Sequence, residues 1–475
     1  MTRRNILFLM SDEHQARAMS CAGHPIVKTP HLDRLAAGGI RFENAYTPSP
    51  ICVPARAALA LGRHVHDTRY WDNAMAYDGR ERGWGHILQD AGVTTTSVGK
   101  LHYRSAEDST GFKEQIVPMH IMDGVGQVWG SVRNPLPNAR RIPKILEKVG
   151  AGYSKYNQYD DLIADRAVEW LRHHGRQAEP WLLFVSFVAP HFPLIVPQQY
   201  LDLYDPADMP LPAMHPEAGY NLHPWVARMS KFSDPDAIFA GDDDRRRLAI
   251  ASYYGLCSFL DAQIGKVMEA LEACGADADT TIIYTSDHGE TLGMRGRWGK
   301  SVLYRESTQV PLIMQGPNLA EGKLCSTPVS LIDLPPTFLD HFEIKSPVDW
   351  PGTSLLKIID KLDDPDRTVF SEYHAAASPS GGFMIANARW KYHYYVGFEP
   401  ELFDLHDDPD ERVNLAASAD HRSIVATLHS RLMAICDPDA VDARAKADQD
   451  ALVADYGGPE SAFRMGTPGE TPPPV

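Results

Sequence analysis

The sequence predicts an α/β fold: a mostly parallel central sheet with helices on both faces, followed by a smaller C-terminal α+β subdomain with an antiparallel sheet. Three observations predict it. Short apolar runs bounded by turn residues alternate with amphipathic stretches, the pattern of strands buried on both faces. Two of those runs stop at carboxylates, Asp12 and Asp287, where the carboxyl ends of parallel strands gather ligand-binding groups. After about residue 365 the alternation gives way to short strands and turns, which divides the chain into 1–365 and 366–475.

In order, "NILFLMS" (5–11) reads as a buried strand running into Asp12. Thr29-Pro30 open a helix as cap and first position, with Leu32, Leu35 and Ala36 on one face and Gly38-Gly39 ending it. A second helix starts near Pro54 and carries "ARAALALG". "DDLIADRAVEWLRHHG" (160–175) is amphipathic and leads to the strand "WLLFVSFV" (181–188). A helix over roughly 245–273 precedes the strand "TIIYTS" (281–286), and "VPLIMQ" (310–315) is another buried strand. Beyond 365, "TVFSEYH", "GFMIANARWKYHYYV" and "ELFDLHDDPDERVNL" read as strands and turns before a helix near 421–436. The tail "GTPGETPPPV" is too rich in Gly and Pro to hold regular structure alone.

The 475 residues are 44% hydrophobic and 23% charged, enough for one large domain and a smaller one. With 62 acidic against 46 basic residues the formal charge is −16, a field that repels nucleic acid and anionic membranes and excludes both as partners. An anionic substrate therefore needs a locally positive pocket. The six cysteines show neither metal-site pairing nor disulfide density, which suits a reducing compartment. The apolar run at the start ends at Ser11-Asp12 without a cleavage-like site, and no stretch approaches the ~20 apolar residues of a membrane span. A cytoplasmic homo-oligomer is expected, with the tail crossing to close a neighbouring subunit's pocket.

Chemistry concentrates around "PICVPAR" (50–56), which places Cys52, Pro54 and Arg56 at a helix entry. A thiol there feels the helix dipole and an arginine one turn on, both favouring an anion, although an isolated cysteine is more often an apolar filler. Asp12 and Asp287 are hard oxygen ligands at strand ends, suited to calcium, magnesium or manganese. Lone aspartates are more often caps or turn formers, so the case rests on how these segments combine.

Together they resemble the sulfatases of the alkaline phosphatase superfamily. Cys-x-Pro-x-Arg is similar to the signature whose cysteine is oxidised to formylglycine. "LFLMSDEH" resembles the first metal segment, and "TPHLDRLAAGGIRFENAYTPSPICVPARAALALGRH" (29–64) the block around the nucleophile. "SVGKLHY" (97–103), "VAPHFP" (188–193), "YTSDHGETLG" (284–293) and "RWGKS" (297–301) follow in the family's order, and "ELFDLHDDPDERVNLA" (401–416) resembles its C-terminal block. "WDNA" (71–74) and "GKLHY" look closest to choline-sulfatase-like and related bacterial members.

The resemblance implies an alkaline-phosphatase-like α/β/α sandwich and a sulfuric ester hydrolase acting on an aryl, choline or sugar sulfate. It implies one divalent ion, calcium first, then manganese, then magnesium, held by Asp12, Cys52, Asp287 and His288. His288 stands where many sulfatases have Asn, which tilts the ion toward manganese. Glu13 stands where a second Asp or a Gln is common, and its longer arm leaves both ligation and a supporting role open. Hydrated formylglycine offers two geminal hydroxyls, one to attack sulfur and one to lose its proton so that sulfate leaves. The resemblance makes His102 the base, His191 the acid toward the leaving alcohol, Lys100 and Lys300 the sulfate-binding lysines, and Arg56 the residue that orients the nucleophile. A formylglycine-generating enzyme is the implied maturation partner.

Three other readings stay open. A phosphonate monoester or phosphodiester hydrolase of the superfamily shares the metal segments, although the Lys100/His102 pair argues for sulfate. A sulfate-ester-binding protein with Cys52 unmodified needs only the pocket and the ion. An alkaline-phosphatase-like enzyme with a Ser or Thr nucleophile is disfavoured by the cysteine segment. The alcohol half of the ester is open as well: Trp71, Tyr103, Trp129 and Trp298 offer a face for a quaternary ammonium, or simply pack loops on the core.

Overall fold

The computed structural model describes residues 5–138, 144–464 and 471–474. Its centre is an eight-stranded sheet. In chain order the strands are β1 (Asn5–Asp12), β2 (Ile40–Phe42), β3 (Thr94–Lys100), β4 (Glu114–Met119), β5 (Trp181–Pro190), β6 (Thr280–Ser286), β7 (Leu312–Gln315) and β8 (Lys323–Cys325). They lie in the order β8-β2-β7-β6-β1-β5-β3-β4. All run parallel except β7, which is antiparallel to both its neighbours. Every residue of β1, β5 and β6 is buried, the polar Asn5, Thr280, Thr281 and Thr285 included, as befits strands covered on both faces.

The helices that cover the sheet are α1 (Pro30–Ala37), α2 (Cys52–Leu61), α3 (Trp84–Asp90), α4 (Lys155–His174), α5 (Asp243–Ala273) and α6 (Leu334–His341). Leu7 and Leu9 of β1 face one core, built with Leu32 and Leu35 of α1, Ile163 and Leu171 of α4, and Ile264 and Val267 of α5. Ile6, Phe8 and Met10 face the other, with Ala57 and Leu61 of α2, Trp84 of α3 and Phe338 of α6. The period of two along one strand thus feeds both helical layers, the sandwich the sequence predicts.

The start of α1 differs from expectation. Thr29 makes no capping bond to it. Instead the buried Asp261 carboxylate of α5 accepts from the backbone N–H groups of His31 and Leu32 at 3.1 and 2.8 Å. A side chain from another helix satisfies the exposed donors, so Thr29 Oγ1 is left to accept from Ser20.

The second sheet is antiparallel: β9 (Val369–Tyr373), β10 (Gly382–Ala386), β11 (Trp390–Tyr395) and β12 (Glu401–Asp404), in that order. One face packs on Tyr46, Ile51, Trp225 and Leu303 of the larger part. The other packs on α7 (Arg422–Ile435) and α8 (Pro438–Asp455). No described helix is long and apolar enough to cross a membrane. The six cysteines are unpaired. Of the tail, only 471–474 fall among the described residues.

Candidate active site

Four adjacent strands, β6-β1-β5-β3, end on one side of the sheet and deliver the site. Ser11 of β1 stands opposite Ser286 of β6, so the next residues, Asp12 and Asp287, come side by side. His191 follows the last residue of β5, and Lys100 is the last residue of β3. Cys52 enters from above as the first residue of α2. Strand order gathers Asp12, Asp287, His191 and Lys100, while a helix start and the loop that carries Lys300 bring in the rest.

Cys52 Sγ lies 3.1 Å from His288 Nε2 and 3.6 Å from Asp12 Oδ1. His288 Nε2 is 3.5 Å from Asp12 Oδ1 and 3.6 Å from Asp287 Oδ1. Ligands at about 2.0–2.6 Å from one cation, set at right angles, are about 2.9–3.7 Å from each other. Those four residues are fully or almost fully buried and fit a single divalent ion. A mixed oxygen and imidazole set suits manganese as well as calcium or magnesium.

Cationic groups surround this cluster. Lys100 Nζ sits 2.5 Å from Asp12 Oδ2. Arg56 donates from Nε to Asp287 Oδ2 at 2.7 Å, and from Nη1 to the Lys100 carbonyl and Ser186 Oγ. Burial raises the Asp12 carboxyl, but Lys100, His191, Lys300 and His288 together hold it well below the usual range. The Cys52 thiol behaves otherwise than its place at a helix entry predicts. Burial and the Asp12 charge push its pKa up, and Arg56 is spent on Asp287 rather than on the sulfur. Burial thus keeps the unmodified thiol from ionising unless an ion draws off its proton, which makes it a poor nucleophile by itself.

Glu13 is not one of the four residues, but its carboxylate joins Asp12 and His191 in a second set whose ligand atoms lie within 4.8 Å of one another. Its Oε2 accepts from Lys300 Nζ at 2.8 Å and lies 3.3 Å from His191 Nε2. Burial, assisted by the neighbouring Glu290, raises the Glu13 carboxyl well above its ordinary value against the pull of Lys300. His191 Nδ1 donates to the Phe192 carbonyl, 2.6 Å away, and since a carbonyl can only accept, this places a proton on Nδ1. Burial and the lysines 300 and 100 lower its pKa. His102 is lowered too, by burial and Lys100, and its Nε2 meets Thr471 Oγ1 at 3.0 Å. The tail thus reaches the pocket of its own chain, where Tyr156 also donates to the Thr471 carbonyl at 2.7 Å.

One cavity opens onto Cys52, Lys100, His102, His191 and Lys300, so the structure brings every catalytic residue expected from the sequence to one place except Arg56, which lies behind it. Of the aromatic candidates, Trp129 and Trp298 line the cavity. Trp71 does not: it is buried against the C-terminal part and donates to Asp448 at 2.7 Å. Tyr103 packs in the core with its ring 5.1 Å from that of Tyr77. The bland reading holds for those two. Sequence reasoning missed Asn73, whose Oδ1 accepts from the Val53 N–H at 3.3 Å, and Glu290, which accepts from Leu292 and Gly299 at 2.8 and 2.7 Å. It also missed Arg297, although that residue opens the recognised "RWGKS" segment.

Comparison with known proteins agrees with this geometry. The sulfatase family model matches residues 4–344, and a model for the C-terminal region of N-sulphoglucosamine sulphohydrolase matches 293–437. The chain is similar to choline-sulfatase of Rhizobium meliloti, 31% identical over 94% of this chain and 89% of that protein. It is 28% identical to arylsulfatase K of Bos taurus over 92% of this chain and 83% of the relative. Among solved structures it is similar to the phosphonate monoester hydrolase of Agrobacterium radiobacter, with a TM-score of 0.75, 26% identity, and 91% and 95% of the two chains covered. It also superposes on BT4656 in complex with its substrate D-glucosamine-2-N,6-O-disulfate, with a TM-score of 0.74 and 23% identity over 95% and 99% of the chains.

Proposed function

The chain belongs to the sulfatase family and is a sulfuric ester hydrolase, and we propose that it cleaves a small organic sulfate monoester through a formylglycine made from Cys52 beside one divalent ion. The observation that carries this reading is the position of Cys52 Sγ, 3.1 Å from His288 Nε2 within a buried cluster that also holds Asp12 and Asp287. A neutral thiol explains little there. Conversion to the aldehyde hydrate replaces it with hard oxygen donors, which match the carboxylates.

Asp12, Asp287, His288 and the residue at 52 would hold the ion, which would supply Lewis-acid polarisation of a sulfate oxygen, and a formylglycine hydrate would supply an oxygen nucleophile and a route for sulfate to leave. Lys100 and Lys300 place two charges at the cavity wall for the sulfate oxygens, each aimed by a carboxylate behind it. His102, kept neutral by burial and Lys100, is ready to accept a proton. His191 is neutral as well, so the proton it gives to the leaving alcohol comes through Nε2 from Glu13, whose raised carboxyl lies 3.3 Å away. Glu13 therefore serves Lys300 and His191 rather than the ion.

A second reading, hydrolysis of phosphonate monoesters, is favoured by one observation: similarity to a solved phosphonate monoester hydrolase over nearly the whole chain. Protein co-produced with a formylglycine-generating enzyme, checked by mass spectrometry of the Cys52 peptide for the lower residue mass, decides between them. Assayed on aryl and choline sulfates, a phosphonate monoester and a phosphate diester, it should favour sulfate. A higher kcat/KM on the phosphonate, or equal activity of converted protein and Cys52→Ala, would reject the proposal.

A further inference from the structure

The cavity over Cys52 has three strongly cationic side chains in its wall, Lys100, Arg297 and Lys300. Two of them are engaged. Lys100 is paired with Asp12 and Lys300 with Glu13. Arg297 is different. It is 4% exposed and makes no direct ion pair with a described carboxylate, although the Asp234 charge lies close enough to favour its own. Its Nη1 donates to the Ser233 carbonyl at 2.5 Å and reaches Ser230 Oγ at 3.5 Å. Its Nε is enclosed without a hydrogen-bond partner. Nη2 donates to no described residue.

Burying a guanidinium that has a carboxylate nearby but none in direct contact leaves its charge under-compensated, and a fold keeps one only where something else gains from it. Arg297 does not have to be there to anchor its segment. The backbone does that, through Gly293 N–H and Thr291 Oγ1 donating to the Arg297 carbonyl and Thr291 N–H to Gly299. Nor is Arg297 needed for the sulfate being cleaved, which the two lysines and the cation site already receive. No Asp or Glu lines the cavity among the described residues. A cationic alcohol such as a quaternary ammonium would therefore meet aromatic faces but no counter-charge, with an unpaired arginine beside it.

We propose that the alcohol half of the ester carries an anionic group of its own, a carboxylate or a second sulfate, which pairs with the Arg297 guanidinium. Arg297 is then a specificity-determining residue, and Trp129 and Trp298 flank the body of the alcohol. This rests on the sulfatase reading of the Cys52 site. It adds that the enzyme prefers doubly anionic esters.

The test uses the full, converted chain and four probes: phenyl sulfate, 3-carboxyphenyl sulfate, resorcinol disulfate and choline sulfate. The wild type should favour the carboxylate or the disulfate over phenyl sulfate by about 10-fold or more in kcat/KM, the scale of one charge-assisted hydrogen bond. The two anionic probes tell carboxylate from sulfate. Arg297→Met should collapse that ratio toward one, and Arg297→Lys should keep part of it. Ratios within one preparation are unaffected by a misfolded fraction. Calorimetric binding of 3-hydroxybenzoate against phenol reads the same preference without turnover, so a chain that binds the benzoate more tightly but hydrolyses nothing would sink the Cys52 reading and leave this one standing. A wild-type ratio near one, a preference for choline sulfate, or an equal loss on all probes in Arg297→Met would overturn the proposal.

Discussion

Arg56 Nε lies 2.7 Å from Asp287 Oδ2, and the pair is buried behind the cation site rather than facing the cavity. The arginine of the signature therefore acts on position 52 indirectly. It fixes the carboxylate that would share an ion with it, and through Nη1 it also fixes the carbonyl of Lys100. Replacing Arg56 with lysine removes the fork that makes three bonds at once. Metal affinity should fall about 10- to 100-fold, the usual cost of losing an outer partner of a ligand. Titration of metal-free protein with manganese or calcium, followed by calorimetry, measures it. Unchanged affinity with reduced turnover would place Arg56 in the reaction itself.

Removing the metal is the second prediction. Dialysis against a chelator should lower kcat by about 10³ or more, since a divalent ion next to the sulfate supplies several kcal/mol of charge stabilisation. Activity should return with calcium, manganese or magnesium, and the ranking of the three identifies the resident ion. Asp287→Asn should be rescued poorly at any concentration. Full activity of chelator-treated protein, with metal content verified as absent, would remove the ion from the mechanism.

How much of this was legible in the sequence depends on the residue. Asp12 and Asp287 stand at the ends of two short strands, and parallel-sheet geometry places such residues together, so their meeting was readable. The direction of Arg56 was not, because one turn along a helix gives proximity to Cys52 but not which carboxylate a long side chain reaches. Glu13 has φ +71, a left-handed backbone that swings its carboxylate to Lys300, and nothing in the string of letters marks that turn. Helix α8 escaped notice because its apolar stripe is weak: along its buried line of Val441, Ala445, Gln449 and Val453, only the two valines are sizeable apolar side chains. Its start was nonetheless written in Asp437-Pro438, whose carboxylate accepts from Asp439 and Ala440.

Gly99 shows how tightly the strand ends are built. Its φ is +96, and a Cβ there would come 2.3 Å from the Ser186 carbonyl and 2.7 Å from Ile163 Cδ1. Gly99→Ala forces either a strained backbone or a separation of β3 from β5 just before Lys100. A cost of about 1–3 kcal/mol is expected in denaturant titrations. Because Lys100 follows directly, kcat/KM should fall more than the loss of folded protein explains. A fully stable, fully active variant would show that β3 can shift without moving the lysine.

Glu13 and Lys300, 2.8 Å apart, give the fourth prediction. Glu13→Gln keeps the shape and an oxygen that Lys300 can bond, but removes the proton donor beside His191. A loss of about 10-fold or more in kcat/KM is expected. The deficit should be larger for esters of poorly acidic alcohols, which need the proton most, than for nitrophenyl sulfate. An equal deficit across leaving groups would confine Glu13 to aiming Lys300.

The last prediction concerns the junction of the two sheets, where the buried Glu372 carboxylate accepts from His66 N and Nδ1 and from His374 Nε2, each at 2.9 Å. Burial raises this carboxyl, but His66 and His374 together hold it well below the usual range. A depressed carboxylate contributes stability that is present above its unfolded value of about 4.3 and is lost as pH falls through its folded value. His66 is shifted the other way: burial lowers it, but Glu372 more than compensates and raises it. Its share is complete below about pH 6.5 and is lost as pH rises through its folded pKa. Glu372→Gln should therefore cost about 3 kcal/mol, as breaking a buried pair does, with the gap from wild type widest between about pH 5 and 6.5. The gap should narrow on both sides of that window in denaturant titrations run across pH. A gap that stays constant from pH 5 to 8 would mean that His66 is held by shape and hydrogen bonding alone, with no charge of its own.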